Sequence, residues 1–505
     1  MLKILKSSNT LKTYFWSYSA FIIKFLTLFI VTPFLTKSQN IYGVYSLCVS
    51  VIIYFNYIDF GFLTSAEKYA TEFYINKDYK SEIETLGFGV FILSFFSLII
   101  MALFLYFSLN PDILSNNIYT NEEKNVASKL FLILFLFTPS ILIEKIVIII
   151  FNIRLKSYIP KQVGIISNLI GLFSVYFFFN KSYQIIQYFL FLQILNFVST
   201  FFCLIYAKKL FNYDFHQLLK SIKFCKSIYS KISNLAYSGI LGTLMWIIYY
   251  EIDRFVIAKY LGYNSVAIFS ISITFLTVFR TIFGILFTPF STTTNYLIGL
   301  KDEIGLKQYL KDILVVTTPL TILPCAITAI LSGPLILNWV GENYKESINL
   351  TFIFSLVFMF SFITYNANFY LIAKEKIKES ILVSLFIPIL YWLGIYIFIS
   401  KYGLIVFPTF KLIVTLINTL FYIFILNKYV GVDFNFSIKN IILPITPSFI
   451  ILTILYFLIL NEKIQLSTPF LVLFVGLIIL FLTFFSFIYL SKNYFNLLKK
   501  VINKF

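Results

Sequence analysis

The chain has 505 residues, of which 59% are hydrophobic and only 12% are charged, and its formal net charge is +18. This composition excludes an ordinary soluble domain. Apolar runs of about 20 residues separate the polar segments, which is the length that spans a bilayer as an α-helix, and the runs lack the alternation of barrel strands. We therefore expect an all-α, polytopic membrane protein.

Marking the apolar runs in chain order predicts about fourteen transmembrane helices. An even number of spans places both chain ends on the same side of the membrane. The predicted helices cover approximately residues 13–35, 41–64, 85–108, 127–151, 163–180, 184–206, 233–259, 263–289, 313–331, 349–372, 379–400, 403–426, 440–460 and 468–490.

The basic residues indicate which side that is. Of the 40 Lys and Arg residues, 27 lie in the amino-terminal segment, the even-numbered loops and the carboxy-terminal tail. Only 8 lie in the odd-numbered loops, and 5 lie within helices. Because loops rich in Lys and Arg stay in the cytoplasm, both termini are predicted to be cytoplasmic. The positive charge is then an orientation signal, and nucleic acid is not an expected partner.

The first helix is expected to remain uncleaved. Its apolar run is too long for a signal peptide, Lys24 interrupts it, and no small-x-small cleavage site follows. The four cysteines have no paired spacing, so we expect neither a disulfide nor a metal site, and no cofactor.

The longest hydrophilic segment, KKLFNYDFHQLLKSIKFCKSIYSK, divides the chain. It predicts an amino-terminal lobe at 1–206, a basic cytoplasmic linker at 207–232, a carboxy-terminal lobe at 233–426, and two further helices with a tail at 427–505. Each lobe has six helices that begin on the cytoplasmic side, as parallel repeats would. The linker suits either an interfacial helix or a solvated basic loop.

Ionisable residues inside the predicted spans need an explanation, because each costs about 2.5–3.5 kcal/mol near the bilayer centre. Some lie close to a span end, where snorkelling to the headgroups is an alternative to a buried role. The candidates are Lys24, Asp59, Glu144, Lys145, Glu251, Asp253, Arg254, Arg280 and Lys411.

Two of these cations lie on polar stripes. Lys24 is near the middle of the first helix, and Thr13, Ser17 and Thr27 fall on its face at helical spacing. Arg280 has Thr277 three residues before it and a glycine four residues after it. We interpret both cations as lining a wet interior surface, with a structural ion pair as the alternative.

The stretch IIYYEIDRFVIAKYLG at 247–262 combines charge with aromatic rings. Glu251 and Arg254 are three residues apart and are predicted to form a structural ion pair on one helix face. Asp253 projects elsewhere, onto a face with Trp246 and two tyrosines, Tyr249 and Tyr250. A carboxylate beside rings suits a hydrated sugar, whereas an interfacial aromatic belt is the alternative interpretation.

The sequence contains no Ser/His/Asp, Cys/His or Gly-rich phosphate constellation, and no predicted outer loop is longer than about 20 residues. This pattern favours a carrier over an enzyme.

Three segments resemble one known family. YIDFGFLTSAEKYATEFY closes the second helix, YEIDRFVIAKYLGYNSVAIFSISITF joins the seventh and eighth, and LIAKEKIKES joins the tenth and eleventh. With the fourteen-helix pattern, they make the chain similar over its whole length to Wzx-type O-antigen flippases. These belong to the polysaccharide biosynthesis family of the multidrug/oligosaccharidyl-lipid/polysaccharide (MOP) exporter superfamily.

The resemblance implies two six-helix lobes around a cavity lined by helices one, two, seven and eight. It also implies transport of a polyprenyl-pyrophosphate-linked oligosaccharide across the cytoplasmic (inner) membrane for surface polysaccharide such as lipopolysaccharide. The expected partners are this substrate, membrane lipids, a glycan polymerase and assembly proteins.

The expected roles follow from charge. Lys24 and Arg280 would bind the pyrophosphate. Asp253, Asn56, Trp246 and Tyr249 would contact the glycan. The candidates for ion coupling by a proton or sodium are Asp59, Glu144 and Glu251.

Two rival functions remain open at this level. One is a MATE-type multidrug or cation antiporter, which would need acids to dominate the cavity. The other is a membrane glycan polymerase or ligase, which would need larger outer loops.

Overall fold

A computed structural model describes residues 8–54, 59, 61–114, 120–374, 377–460, 466–491 and 494–502. Every regular element among these residues is a helix, as expected for an all-α membrane protein. Contacts divide the chain into two compact units, unit 1 at Met1–Ala267 and unit 2 at Ile268–Phe505.

The described part of unit 1 contains nine complete α-helices. They are α1 (Ser8–Leu35), α2 (Gln39–Tyr54), α3 (Phe62–Ile75), α4 (Tyr79–Leu109), α5 (Asn121–Ile153), α6 (Tyr158–Phe179), α7 (Ile185–Phe211), α8 (Phe215–Lys220) and α9 (Lys226–Tyr250). Helix α10 (Asp253–Gly299) begins in unit 1 and ends in unit 2.

Unit 2 continues with ten further helices in its described part. They are α11 (Glu303–Ile330), α12 (Ser332–Val340), α13 (Ser347–Val357), α14 (Ser361–Ala373), α15 (Ile377–Tyr402), α16 (Val406–Val430), α17 (Phe434–Ser437), α18 (Leu443–Leu460), α19 (Pro469–Leu490) and α20 (Tyr494–Ile502). A π-helical turn, Ile438–Ile442, joins α17 to α18.

The described residues contain ten helices long and apolar enough to cross a membrane, or eleven if the bent pair α13–α14 is one span. Two of the ten, Thr243–Thr288 and Leu385–Val430, have 46 residues each and include the breaks between α9 and α10 and between α15 and α16. At 1.5 Å per residue, each contains about 69 Å of helix, enough for two crossings of a hydrocarbon core of about 30 Å. Helix α2, which ends at the undescribed residues 55–58, occupies the place of the second predicted span.

The predicted seventh helix, 233–259, is interrupted in the structure. Helix α9 ends at Tyr250 with Glu251 as its C-cap, and the next helix begins at Asp253. A second interruption follows at Gly262, whose φ of 84° and ψ of 173° suit glycine alone. The helical-face argument for pairing Glu251 with Arg254 therefore does not apply across this break.

The contact boundary at 267/268 differs from the predicted linker boundary at 207–232. Within unit 1, the linker helix α8 has a buried Leu218, and Ser221 lies where a side chain on Gly87 of α4 would have to go. The linker is thus packed against its own unit. The division into two six-helix lobes remains a prediction.

Unit 1 is held together by close helix approaches. A Cβ on Gly43 of α2 would collide with the backbone carbonyl of Tyr263. Helices α3, α4 and α9 share an apolar cluster around Phe62, Phe88 and Ile232. Because Gly43 has no side chain, the backbone of α2 can approach the backbone of Tyr263 closely, as small residues allow at helix interfaces in membranes.

Unit 2 is built around α11. In its most apolar 18-residue window, 78% of the residues are buried, whereas the corresponding value for α19 is 22%. The carboxy-terminal helix α20 packs on it, since the hydroxyl of Tyr494 donates a hydrogen bond to the Val316 carbonyl at 2.9 Å.

Candidate functional site

A polar cavity of about 380 Å³ opens within unit 1 among α1, α5, α6 and α7. Three charged side chains line it: Lys24, Glu144 and Lys161. The polar remainder consists of Asn152, Ser157, Ser167, Asn168, Asn196, Ser199 and Thr200. A cavity in a membrane-spanning unit that contains two ammonium groups, one carboxylate and several amides and hydroxyls suits a charged, hydroxylated ligand.

Helix α1 contributes the stripe that contains Lys24. Thr13 and Ser17, three and two turns before it, face α6. The Oγ1 atom of Thr13 lies 3.2 Å from the Oγ atom of Ser157, and the Lys161 ammonium donates a hydrogen bond to the Ser17 hydroxyl. The polar stripe predicted on α1 is thus packed on α6, and its Lys24 reaches the cavity.

Helix α6 contributes small and polar residues at helical spacing. Lys161, Gly164 and Ser167 follow one another at three-residue intervals, so they share a face. No heavy atom lies within 4 Å of the position a Cβ on Gly164 would take, which leaves space in the cavity. Pro160 is tolerated nearby because the first turn of a helix has no intrahelical acceptor for its missing N–H group.

Helix α7 lines the cavity with residues at helical spacing. Asn196, Ser199, Thr200 and Cys203 occupy positions i, i+3, i+4 and i+7, which is one face of an α-helix. The pattern is visible in the sequence by the same helical spacing that locates the Lys24 stripe. Lys161 falls outside the predicted fifth helix, 163–180, but inside α6, which begins at Tyr158.

Two of the three predicted coupling acids, Glu144 and Asp59, differ in their surroundings. Glu144 lines the cavity with an exposed side chain. Asp59 is buried, lies 3.9 Å from the Lys145 ammonium, and accepts a hydrogen bond from the Leu63 backbone at the start of α3. A hydrogen bond from the first turn of α3 and an internal ion pair thus give Asp59 a structural role, and snorkelling does not explain it.

The aromatic and acidic residues near 250 are packed inside unit 1. Tyr250 contacts Trp246 and Tyr249, with ring centroids 5.1 Å and 4.6 Å away. Tyr249, Glu251 and Asp253 are 6%, 2% and 1% exposed, whereas Trp246 is half-buried. Asp253 is also the first residue of α10, where a carboxylate is favoured by the helix dipole. In this conformation Asp253 and Tyr249 are closed to a bulky ligand.

Arg280 belongs to unit 2 and is half-buried on α10. Thr277, Thr281, Gly284 and Thr288 share its helix face, and a Cβ on Gly284 would meet nothing within 4 Å. The predicted polar stripe is therefore present, beside open space. Asn56 lies outside the described residues.

Two basic residues away from the cavity are buried. Lys411 of α16 donates a hydrogen bond to the Tyr391 hydroxyl at 3.1 Å, and its ammonium lies 4.3 Å from that ring's centroid. Arg154, counted as a loop residue from the sequence, forms an ion pair with Glu82 at 2.8 Å; its side chain is 6% exposed and that of Glu82 is fully buried.

Three rings surround the Arg154 guanidinium, those of Tyr74, Phe211 and Tyr213, at 4.7, 5.1 and 5.0 Å. Burial raises the pKa of the Tyr213 hydroxyl, and the Glu82 carboxylate raises it further. This cluster joins the ends of α3, α5 and α7 to the start of α4. We interpret it as a structural clamp.

Among the described residues, no group of three or more His, Cys, Asp or Glu side chains is placed to hold a metal ion.

Solved structures with the same arrangement of helices are transporters. The lipid II flippase MurJ in an inward closed conformation aligns with a TM-score of 0.62 and 17% identity, over 94% of this chain and 97% of its own. A multidrug resistance MATE family transporter of the MOP superfamily aligns in its inward-facing conformation with a TM-score of 0.62 and 12% identity, over 81% and 96%. The chain has the fold of these transporters.

An outward-facing structure of a MATE family transporter of the same superfamily also aligns, with a TM-score of 0.57 and 12% identity, over 85% of this chain and 97% of its own. No protein-family profile matches the chain, and no curated protein matches it in sequence. The comparisons thus establish the fold, which is that of multi-pass membrane transporters.

Proposed function

We propose that this chain is a flippase that moves polyprenyl-pyrophosphate-linked oligosaccharide units across the cytoplasmic membrane for surface polysaccharide assembly, as Wzx-type proteins do. The observation that carries the proposal is the cavity in unit 1, where two lysines and one glutamate lie among amides and hydroxyls. The likeness to a lipid II flippase supports it, because lipid II is itself a lipid-linked substrate.

The charge of the cavity fits an anionic head. Lys24 and Lys161 carry six N–H donors, one of which Lys161 gives to Ser17, and a pyrophosphate is recognised by such charge-assisted hydrogen bonds. Glu144 leaves one net positive charge, so the cavity attracts an anion without holding it irreversibly. Arg280, on the open polar stripe of unit 2, keeps its proposed pyrophosphate role from the sequence alone.

The glycan is proposed to contact the amide and hydroxyl side chains of the cavity. Asn152, Asn168 and Asn196 each offer both donors and acceptors, as sugar hydroxyls require. Trp246 is the accessible aromatic candidate, whereas Asp253 and Tyr249 would need a rearrangement to reach a sugar. Asn56 keeps its proposed role from the sequence alone.

Transport is proposed to follow alternating access without covalent chemistry, so the chain is a carrier and not an enzyme. Both termini are proposed to face the cytoplasm. A glycan polymerase and assembly proteins are proposed to receive the flipped unit.

A MATE-type antiporter is the second candidate, because a MATE family transporter aligns as well as the flippase does. The cavity argues against it, since an organic cation would meet two lysines and one carboxylate. The two functions are separated by reconstituting the full chain in liposomes and following either a fluorescent polyprenyl-pyrophosphate-linked sugar or ethidium.

Movement of the lipid-linked sugar that depends on Lys24 supports the flippase. Movement of ethidium that persists in Lys24→Ala supports the antiporter.

A further inference from the structure

A second cavity, of about 390 Å³, lies within unit 2 between α11, the α13–α14 break, α16 and the start of α18. Its walls are apolar, with Leu314, Met359 and Leu426 among the lining side chains. Two lining residues, Ser437 and Thr446, carry hydroxyls, and both donate to backbone carbonyls, those of Asp433 and Leu443. The lining therefore directs no hydroxyl donor at a polar ligand.

Irregular backbone creates this space. Helices α13 and α14 meet at an angle of 41°, and Met359 and Phe360 from the break line the cavity. The π-helical turn before α18 brings Ile441 and Ile442 to the opposite wall. At membrane depth, interrupted helices are tolerated where they line a cavity, and π-turns often mark functional sites.

The cavity is as deep as one leaflet. Its lining extends from Ser437, at the start of the span Phe434–Ile459, to Phe449. The twelve steps between these positions rise about 18 Å at 1.5 Å each, roughly half of a hydrocarbon core of about 30 Å. An apolar space of this shape excludes water, and leaving it empty would forfeit dispersion contacts. A hydrocarbon chain lying along the span fills it.

Basic residues lie at the end of this cavity that is nearest to Ser437. Lys311 precedes Leu314 by one helical turn, so both share a face of α11, and its ammonium lies 5.5 Å from the Phe436 ring centroid. Lys428 and Lys439 are exposed at the same end. Of the nearby acids, Asp433 caps α17 by accepting from the Phe436 backbone at 2.8 Å, and Asp312 accepts from Gln308 at 2.7 Å.

We propose that this cavity binds an anionic phospholipid of the surrounding bilayer, with one acyl chain in the cavity and the phosphate at Lys311. The topology predicted from the basic loops places this end in the cytoplasmic leaflet, where anionic lipids attract such lysines. The site lies wholly in unit 2 and does not depend on the transport function proposed for unit 1.

Native mass spectrometry of the full chain in detergent tests the proposal, with phosphatidylglycerol and phosphatidylcholine of identical chains as probes. We expect phosphatidylglycerol to be retained in preference. Lys311→Ala should lower its occupancy about tenfold, since a charge-assisted contact is lost. Ile441→Trp, which fills the cavity, should lower the occupancy of both lipids.

The matched controls are Lys401→Ala, an exposed lysine at the other end of its span, and Leu420→Trp, a 67% exposed position on α16. Neither should change lipid binding, and monodisperse elution will establish that each variant is folded. Equal retention of both lipids, or an unchanged preference in Lys311→Ala, overturns the headgroup contact. Unchanged binding in folded Ile441→Trp overturns the cavity. Displacement of phosphatidylglycerol by polyprenyl phosphate from the wild type, but not from Ile441→Trp, would assign the cavity to the lipid-linked substrate instead.

Discussion

The ammonium of Lys161 donates a hydrogen bond to the hydroxyl of Ser17, seven residues before Lys24 on α1. This contact fixes the second cation of the cavity against the helix that carries the first. Lys24 and Lys161 therefore face one space from two different helices, with Glu144 from a third. Two cations from separate helices can bind the two phosphates of a pyrophosphate, and they can move apart when the helices move.

The cavity lysines are expected to be essential for transport. Lys24→Ala and Lys161→Ala should each lower the flipping rate of a polyprenyl-pyrophosphate-linked sugar about tenfold or more, because a hydrogen bond to a charged group contributes about 1.5–3 kcal/mol. Lys24→Arg should retain most activity. Lys181→Ala, an exposed loop lysine, is the control and should behave as wild type. Equal rates in all four variants would remove the lysines from the mechanism.

Substitution of Glu144 is expected to affect ion coupling, whereas substitution of Asp59 is expected to affect stability. Glu144→Gln keeps the shape of the cavity but removes its carboxylate, so transport should continue without responding to an imposed proton or sodium gradient. Asp59→Ala should lower thermal stability, because it removes the acceptor of the Leu63 backbone N–H, a hydrogen bond to a charged group that contributes about 1.5–3 kcal/mol, and an ion pair with Lys145. The measurements are gradient-driven uptake in liposomes and melting in detergent. Normal coupling in Glu144→Gln would leave Glu144 without a role as the coupling acid.

The Arg154 clamp is expected to govern the stability of unit 1. Arg154→Ala leaves the fully buried Glu82 without its cation, which costs about 3–5 kcal/mol. The double variant Arg154→Met with Glu82→Leu should recover much of this loss, since apolar pairs of similar volume often replace buried ion pairs. Thermal unfolding followed by size-exclusion chromatography measures both. A single variant as stable as wild type would contradict the clamp.

Gly43 is expected to tolerate no side chain. In Gly43→Ala the new methyl group meets the Tyr263 carbonyl, a backbone atom that cannot rotate away, so about 1–3 kcal/mol of stability should be lost. Gly284→Ala is the matched control, since its methyl group enters open space, and the helix should gain up to about 1 kcal/mol. Melting temperatures that move in the same direction for both variants would contradict the close approach.

Cys225 offers a test of orientation. Its thiol lies 3.2 Å from the Ser227 hydroxyl, whose hydrogen bond to the thiolate lowers the pKa of Cys225, so the reactive form persists to lower pH than in an ordinary thiol. Cys48, Cys203 and Cys325 are buried. A membrane-impermeant maleimide at pH 7 should therefore label Cys225 alone, in inverted vesicles and not in intact cells, and Ser227→Ala should label more slowly. Labelling from outside intact cells would reverse the topology.

The fold was predictable because hydrophobic length is a strong signal in membrane proteins. The Lys24 stripe was predictable too, since Thr13 and Ser17 repeat at helical spacing. Lys161 was missed because the fifth helix was predicted to begin at 163 and not at Tyr158, whereas the burial of Arg154 against Glu82 depends on tertiary packing. Pro160, a residue tolerated in a first helical turn, was the available signal there.

The break between Tyr250 and Asp253 was not predicted, because no Gly or Pro lies there and the charges of Glu251, Asp253 and Arg254 were interpreted as residues of one continuous helix. The partners of Lys24 come from helices over 100 residues away along the chain, and only tertiary packing reveals them.

The most direct test measures lipid-linked glycan in a strain that lacks this chain and carries either the wild-type gene or Lys24→Ala. The proposed function predicts that the deletion abolishes surface polysaccharide while complete lipid-linked repeat units accumulate on the cytoplasmic side, and that only the wild-type gene reverses both effects. Unchanged surface polysaccharide with increased retention of cationic dyes would contradict the flippase and favour the multidrug exporter. Repeat units that reach the surface unpolymerised would favour a polymerase.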